Sequence, residues 1–332
     1  MKAIFYQEQS VEKWDEFIRN NSVDFGLLQS SSWAKFQRLL GREVFLLAAT
    51  DEEENILAAA LIIEQPLKFG FNYFYLPRGP ILVDAATDQL SLLELLWGEI
   101  GRLAQTRRAV FLRFDPAWQD NEAVQLLLSG LVERPVGQVQ PRQTLILALD
   151  QSETELLAAM KPKTRYNIKI AQKHKVTIDW GGDYFEDFWR LTEKTSQRQQ
   201  IVSHPKEYYR KMVAALGEQI QIMVALVDRQ VVAANLVVFF GDWCVYLHGA
   251  SDYVYREKMA PFLLQWTTIV EAKKKGKKYY DFWGVDEDKW PGVSRFKKGF
   301  APNTAFTAYA GAWDKIYRPL WYNIYQLAIR KR

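Results

Sequence analysis

The chain has 332 residues, of which 48% are hydrophobic and 25% charged, a length that suits about two ordinary domains with their own cores. Its 43 basic and 39 acidic residues leave a net charge of +4. A balance this mild does not mark a nucleic-acid binder, so only local clustering of cations could do so. One cysteine, Cys244, excludes an internal disulfide and a cysteine-based zinc site, and the 3 histidines lack metal-ligand spacing. We expect no metal.

The N-terminus turns polar within residues 1–8, before an export-type apolar region could form. The longest strongly apolar stretch, residues 231–240, contains Asn235 and is too short to span a bilayer. We therefore expect a cytoplasmic protein that at most touches the inner face of the membrane.

The first half of the chain is predicted to run in the order strand, turn, strand, strand, helix, strand. Its apolar runs predict strands at residues 44–49, 56–63, 72–76 and 109–114. Apolar residues at helical spacing predict a helix at 88–106, before the last of these strands. A further helix at 11–20 would cover the sheet with its apolar stripe.

The second half repeats that order. Its strands are predicted at residues 221–227, 231–240, 243–248 and 279–283. The helix, at 261–275, ends before Gly276, a common helix stop. The repeated order resembles the core of the GNAT acyltransferase fold. We predict an α/β protein (α+β, with mixed sheets) made of two GNAT-like domains side by side, one at 1–140 completed by 308–332 and the other at 141–307.

Between the halves, residues 135–141 read as a linker and 144–149 as a strand. Ser152 and Glu155 form a capping-box pattern that opens a helix. This helix leads into residues 161–175, where no acid accompanies six cations: Lys161, Lys163, Arg165, Lys169, Lys173 and Lys175. Such a face is usually a solvated surface. The lack of acids favours contact with phosphate, from RNA or an anionic membrane, and the C-terminal run at 330–332 could add to it.

The loop at residues 252–264 lies between a predicted strand and a predicted helix. In CoA-dependent GNAT enzymes this loop is rich in glycine, because its backbone N–H groups hold a pyrophosphate. Here the loop has no glycine. We expect an acyl donor other than CoA, and no cofactor.

Residues 279–301 read YYDFWGVDEDKWPGVSRFKKGFA. This block resembles the D-F-x-G … F-K-x-G-F signature of the Fem family, the alternative being an ordinary aromatic-rich hairpin. Further matches follow the family's order at residues 29–36, 74–80, 161–171 and 246–251. The region between residues 184 and 216 has only a short helical pattern, so the chain resembles the compact type of this family, which lacks a coiled-coil arm.

The resemblance implies that an amine of a peptidoglycan stem peptide attacks the aminoacyl ester of a charged tRNA. It puts Lys297 and Phe296 at the point of acyl transfer, where an ammonium could neutralise the oxyanion or hold the tRNA end. The alternative for Lys297 is a surface charge. Lys35 and Arg198 become candidates for the acceptor's diphosphate. Arg198 is followed by Gln199-Gln200, where the family has a small residue.

The other site residues implied by the resemblance bind substrate: Tyr209, Tyr246, Trp33 and Arg78. Asp115, at the end of a predicted strand, is either a proton acceptor or the cap of a turn. The signature's final glycine is replaced by Ala301. The sequence offers no Ser-His-Asp or Cys-His arrangement, so catalysis would depend on positioning and electrostatics.

The expected partners are aminoacyl-tRNA and a peptidoglycan precursor, either UDP-MurNAc-pentapeptide or lipid II, with the product an interpeptide bridge. We expect a monomer with possible peripheral membrane contact. Two alternatives stay open. One is a GNAT-fold N-acyltransferase with another donor and a surface-polymer acceptor. The other is a non-catalytic RNA- or membrane-binding module.

Overall fold

The computed structural model describes residues 1–6, 11–83, 89–132, 134–135, 138–200 and 202–330. It divides the chain into two compact units. The first unit contains Met1–Arg142 and Ala308–Arg332, and the second contains Gln143–Thr307. The predicted helix start at Asp88 and the C-terminal Lys331 and Arg332 lie outside the described residues.

The first 142 residues supply most of the first unit. Their strands are β1 (Lys2–Phe5), β2 (Val44–Thr50), β3 (Ile56–Pro66), β4 (Asn72–Arg78), β5 (Ile81–Leu82), β6 (Ala109–Pro116) and β7 (Arg134–Pro135). Their helices are α1 (Val11–Asn21), α2 (Ser31–Leu39), α3 (Gln89–Arg107) and α4 (Glu122–Leu131). Helices α1 and α3 and the strands β2, β3, β4 and β6 follow the predicted order. The short strands β1, β5 and β7 and the helices α2 and α4 were not predicted.

The second unit follows. Its strands are β8 (Gln143–Thr144), β9 (Ile146–Ala148), β10 (Thr177–Asp179), β11 (Ile220–Val227), β12 (Gln230–Phe240), β13 (Trp243–Ser251) and β14 (Tyr279–Asp281). Its helices are α5 (Glu153–Ala159), α6 (Pro162–Lys173), α7 (Phe185–Gln199), α8 (Lys206–Leu216), α9 (Ala260–Lys274) and α10 (Pro291–Phe300). The chain then returns to the first unit through β15 (Thr307–Ala308), β16 (Trp313–Ile316) and α11 (Pro319–Arg330).

Each unit is built on a mixed sheet. In the first unit the strand order is β1-β2-β3-β4-β6-β16-β7, and β5 also pairs with β3. In the second it is β10-β11-β12-β13-β14-β9. One neighbouring pair in each sheet is parallel, β4 with β6 and β13 with β14. A helix, α3 or α9, connects each parallel pair, as a parallel connection requires. The two units therefore repeat one supersecondary pattern.

Buried Gln29, the first residue of the segment at 29–36, holds this segment in place through its hydrogen bonds. Its side-chain amide donates to Pro77 O at 2.5 Å, and its side-chain oxygen accepts from the N–H of Leu61 at 2.7 Å. Trp14 Nε1 donates to the Gln29 carbonyl at 2.7 Å. Gly79 must be small, because a Cβ there would lie 2.7 Å from the Gln29 side chain. This segment joins α1, β3 and β4 within the first unit.

Polar side chains cap the N-termini of α2, α4 and α5. Ser30 caps α2 by accepting from the N–H of Trp33 at 3.1 Å, and Asn121 caps α4 in the same way. The predicted capping box of α5 is formed by Ser152 and Glu155. Within the described residues, no helix is long and apolar enough to cross a membrane.

Candidate active site

A cavity of about 770 Å³ lies in the second unit, at the C-terminal end of β13. Strand β13 pairs with β14 only from Trp243 to Val245 and then continues alone on that side. Because the two strands separate there, room opens between β13 and the segments that follow β14. The cavity wall includes Tyr246 and Phe296.

Cations that lie over aromatic rings also line this cavity. The Arg198 guanidinium donates to Ser251 O at 3.4 Å and lies 5.3 Å from the centre of the Tyr253 ring. Arg256 lies over the same ring at 4.6 Å. Lys289 lies 4.8 Å from the ring centre of Trp290. Positive charge beside flat aromatic faces suits an anionic ligand that also carries a planar group.

Lys297 lies behind the cavity wall, on α10. Its side chain is buried, with 6% of the residue exposed. Nζ donates to Gly284 O at 2.7 Å and to Trp283 O at 3.3 Å, and lies 5.5 Å from the centre of the Tyr246 ring. The alternative that Lys297 is an ordinary surface charge is therefore wrong.

Burial lowers the pKa of Lys297 to about 7, while the Asp281 carboxylate acts in the opposite direction. An ordinary lysine is fully charged at neutral pH, but this one is close to its titration midpoint. The two carbonyls and the carboxylate support the charged form, and the surrounding apolar groups oppose it.

The turn after β14 supplies those two carbonyls. Trp283 was predicted to end the strand, but the strand stops at Asp281 and Trp283 has a left-handed φ of 58°. Asp281 is buried, and its Oδ1 accepts from the N–H of Trp283 at 2.7 Å and from the Thr144 hydroxyl. The aspartate of the D-F-x-G motif thus holds the turn whose carbonyls bind the lysine of the F-K motif.

Gly299 explains the second half of the signature. Helix α10 begins at Pro291 and continues through the F-K-K-G-F run. Its Gly299 carbonyl accepts from the N–H of Lys161 at 2.9 Å. A Cβ at Gly299 would overlap the Thr164 hydroxyl. The glycine lets α10 pack closely against the start of α6.

A β-bulge in β13 puts Tyr246 and His248, which are two residues apart, on opposite faces of the sheet. Val237 is paired with Tyr246 but Leu236 with His248, so Leu247 is extra. Tyr246 therefore packs on the α9 side, and its hydroxyl occupies the space that a Cβ at Gly249 would need. His248 meets the ring of buried Tyr209 at 5.2 Å. Burial, with the charges of His204 and Lys297, lowers the pKa of His248 to about 4.

A buried chain of polar side chains runs from the cavity into the core of this unit. Asn235, in the cavity wall, donates to Gln265 at 3.1 Å, and Gln265 donates to the Tyr280 hydroxyl at 2.7 Å. These bonds fix α9 against β12 and β14. Nearby Cys244 is buried, as expected for a core residue, and burial raises the pKa of its thiol.

In the first unit, Asp115 is buried at the end of β6. Its carboxylate accepts from the N–H of Arg78 at 3.1 Å, the N–H of Gln140 at 3.0 Å and the Tyr75 hydroxyl at 3.0 Å. Burial raises the pKa of Asp115, and these donors and Arg78 oppose the rise. Two of the three donors are backbone N–H groups of the segments after β4 and before β8, so the carboxylate ties these segments together, which agrees with the turn-capping alternative.

The other first-unit candidates lie in different surroundings. Arg78 is buried, donates to Pro141 O at 2.6 Å and lies 4.1 Å from the centre of the Tyr309 ring. Trp33 is buried against Phe36, with ring centres 5.0 Å apart. Lys35, on the same helix α2, is exposed.

The basic segment forms α6. Lys161, Lys163, Lys169 and Lys173 are exposed, whereas Ile168 and Ala171 are buried. Arg165 differs from them, because its guanidinium donates to Ala158 O at 2.9 Å and to Met160 O. It caps the end of α5, so four of the five candidate cations on this helix are available to a phosphate.

Sequence reasoning missed part of the cavity wall. Lys289 and Trp290 stand inside the signature block, and Tyr253 and Arg256 stand in the glycine-free loop. The sequence feature that could have identified these residues is the alternation of aromatic and basic side chains in both segments. Within the part of the chain that the structure describes, no cluster of three or more His, Cys, Asp or Glu could hold a metal ion.

The fold is that of two GNAT-like units in tandem. A solved tandem GNAT protein from the clavulanic acid biosynthesis pathway is similar at a TM-score of 0.57 and 11% identity, over 95% of this chain and 98% of that one. The crystal structure of FemX is similar at a TM-score of 0.85 and 19% identity, over 98% and 99%.

The chain belongs to the FemAB family, whose model matches residues 10–126, 122–231 and 226–330. It is a transferase that forms an amide bond. Lipid II:glycine glycyltransferase of Staphylococcus aureus (strain MRSA252) is 22% identical over 356 residues, which cover 83% of this chain and 84% of that protein. The enzyme of the same name from Staphylococcus haemolyticus (strain JCSC1435) is 22% identical over 357 residues, covering 83% and 84%.

Proposed function

We propose that this protein transfers an amino acid from a charged tRNA to the stem peptide of a peptidoglycan precursor, which starts or extends an interpeptide bridge. Family membership and relatives named lipid II:glycine glycyltransferase support the reaction class. The observation that carries the proposal is the buried Lys297 ammonium, held by two carbonyls next to a cavity with a cationic, aromatic wall.

The reaction needs no covalent enzyme intermediate. The neutral acceptor amine attacks the ester carbonyl carbon, a C–N bond forms, and the carbonyl oxygen becomes an oxyanion. When the tetrahedral intermediate collapses, the ester C–O bond breaks, the ribose hydroxyl leaves and takes up the proton that the amine loses. We assign to Lys297 the electrostatic stabilisation of the oxyanion from behind the Tyr246 ring, because a cation in an environment of low polarity acts strongly over short distances.

Both of the large substrates carry phosphate groups that the protein must bind. We assign Arg198 to the diphosphate of the acceptor and the exposed lysines of α6 to the tRNA backbone. Lys35, exposed on α2 of the first unit, stays a prediction from the sequence. Tyr246 and Phe296 would shape the cavity around the reacting ester. The glycine-free segment before α9 supports a donor other than CoA: residues 253–258 form a 3-10 helix, and α9 starts with Pro261 in its first turn.

The experiment incubates the purified chain with tRNAs charged with several amino acids. The acceptor is UDP-MurNAc-pentapeptide in one arm and lipid II in the other, and mass spectrometry detects a branched product. A product that depends on charged tRNA in either arm supports the proposal. Absence of product with every amino acid and both acceptors, or transfer from acetyl-CoA instead, contradicts it.

A further inference from the structure

Helix α11 has apolar side chains on both of its faces. Its inner face is packed: Tyr322 is buried, its hydroxyl donates to Asp314 at 2.8 Å, and its ring lies 5.2 Å from that of Phe111. Leu320, Ile324 and Leu327, at helical spacing, occupy the opposite face with 71%, 45% and 60% exposure. The outer residues are therefore not needed to cover the core of this unit.

A turn beside α11 extends this surface. Phe69 is 78% exposed and adopts a left-handed φ of 62°. Its ring lies 6.3 Å from that of Trp321, which packs at 4.1 Å on Phe71. We call the surface formed by Phe69, Trp321, Leu320, Ile324 and Leu327 the α11 face. Contiguous exposed apolar groups of this kind mark a contact with another molecule or a membrane.

Cations outnumber acids around the α11 face. The three segments that build it, residues 65–71, 105–111 and 315–330, contain no Asp or Glu, and the acids directly before two of them, Glu64 and Asp314, pair with Arg107 and Arg113. Cations stand in each of them: Lys68 is exposed next to Phe69, and Arg108 lies 4.9 Å from the centre of the Phe71 ring. Arg318 directly precedes α11. In sequence, Lys331 and Arg332 follow it.

We propose that the α11 face is an interfacial contact that docks on an anionic phospholipid bilayer. Leucine, isoleucine and phenylalanine side chains would enter the boundary of headgroups and acyl chains, while the cations meet lipid phosphates. A helix that lies in the interface in this way needs an apolar outer face flanked by positive charge. The inference is independent of the reaction proposed above, because it uses none of the residues of the cavity.

The test is sedimentation of the full chain with vesicles. Phosphatidylglycerol-containing vesicles should bind it, and pure phosphatidylcholine vesicles should bind it much more weakly. The combined variant Leu320→Gln, Ile324→Gln, Leu327→Gln should bind anionic vesicles roughly a hundredfold more weakly. Phe69→Asn, which suits the left-handed backbone, should lose about fivefold. The matched control is Leu126→Gln on α4. Leu126 is likewise exposed, at 73%, but lies outside the α11 face, so this variant should bind like the parent.

Circular dichroism and aminoacyl transfer to the soluble acceptor should stay unchanged in all these variants, which separates a docking defect from a folding or catalytic one. Equal binding by parent and combined variant would overturn the inference, as would failure of the parent to bind anionic vesicles. If light scattering instead shows a dimer that the combined variant cannot form, the face joins two copies of the chain and the membrane proposal is wrong.

Discussion

The ammonium of Lys297 donates to the carbonyl oxygen of Gly284 across 2.7 Å, inside a turn that Asp281 holds in place. This contact joins the two halves of the family signature in one structural unit. The D-F-W-G turn offers carbonyl oxygens, and the F-K helix brings the cation to them. Burial sets the pKa of that cation near neutrality, so small changes in its surroundings should change its charge.

Replacing Asp281 with Asn should lower the pKa of Lys297 below its value of about 7. The carboxylate stabilises the charged form, and removing its charge leaves burial unopposed. NMR titration of the lysine side-chain signals, assigned by comparison with Lys297→Met, measures this directly. An unchanged or higher pKa in Asp281→Asn would show that the carboxylate does not act on the ammonium.

The variant Lys297→Met should change how stability depends on pH. Since the folded pKa is about 7 and the unfolded value about 10.4, the unfolded chain binds more protons between these values. Folding of the parent therefore gains stability as pH rises through this window. Methionine lacks this dependence. From pH 7 to pH 9, the parent should gain on the order of 2 kcal/mol relative to the variant. Urea unfolding at both pH values measures this difference. If the free energies of unfolding of parent and variant differ by the same amount at pH 7 and pH 9, the pKa of the lysine is not shifted.

Gly249→Ala should reduce transfer at least about tenfold. The new Cβ would overlap the Tyr246 hydroxyl, so this ring, which lines the cavity, must move. Steady-state kinetics with both substrates measures the loss, and Gly130→Ala serves as the control, because a Cβ there meets nothing within 4 Å. Activity equal to that of the control would mean that the position of Tyr246 does not matter for the reaction.

Gly299→Ala should destabilise the protein by about 1–3 kcal/mol, since the new Cβ would collide with the Thr164 hydroxyl. Thr164→Ala removes that hydroxyl, and the nearest remaining Thr164 atom is then 3.7 Å away. The double variant should therefore recover most of the loss in a thermal-unfolding cycle. Additive effects of the two substitutions would indicate that α10 and α6 are not in close contact.

The sequence predicted the repeated strand order because long apolar runs and the helices after them carry a strong periodic signal. It did not predict α10, because Pro291 and Gly292 are residue types typical of loops, although proline also suits the first turn of a helix. It also ended β14 too late, at Trp283, because only the buried carboxylate of Asp281 imposes the left-handed turn there. Such contacts between distant segments leave no periodic pattern.

The candidate site was predicted mainly through the family resemblance. Arg198, Tyr246 and Phe296, which lie far apart in sequence, line one cavity, with Lys297 directly behind Tyr246. The burial of Lys297 was not predicted, because a lysine next to another lysine ordinarily indicates a solvated surface. Only the fold shows that Lys297 points inward, whereas Lys298 donates to Thr304 O.

The most direct test of the central claim compares Lys297→Met with the matched variant Lys298→Met in the tRNA-dependent transfer assay. The neighbouring lysine controls for a lost charge on the same helix. We expect Lys297→Met to lose transfer by at least about a hundredfold with its fold intact, as removal of an oxyanion-stabilising group does. Lys298→Met should stay within a few-fold of the parent. Transfer by Lys297→Met at the rate of the parent would contradict the assignment of this lysine to catalysis.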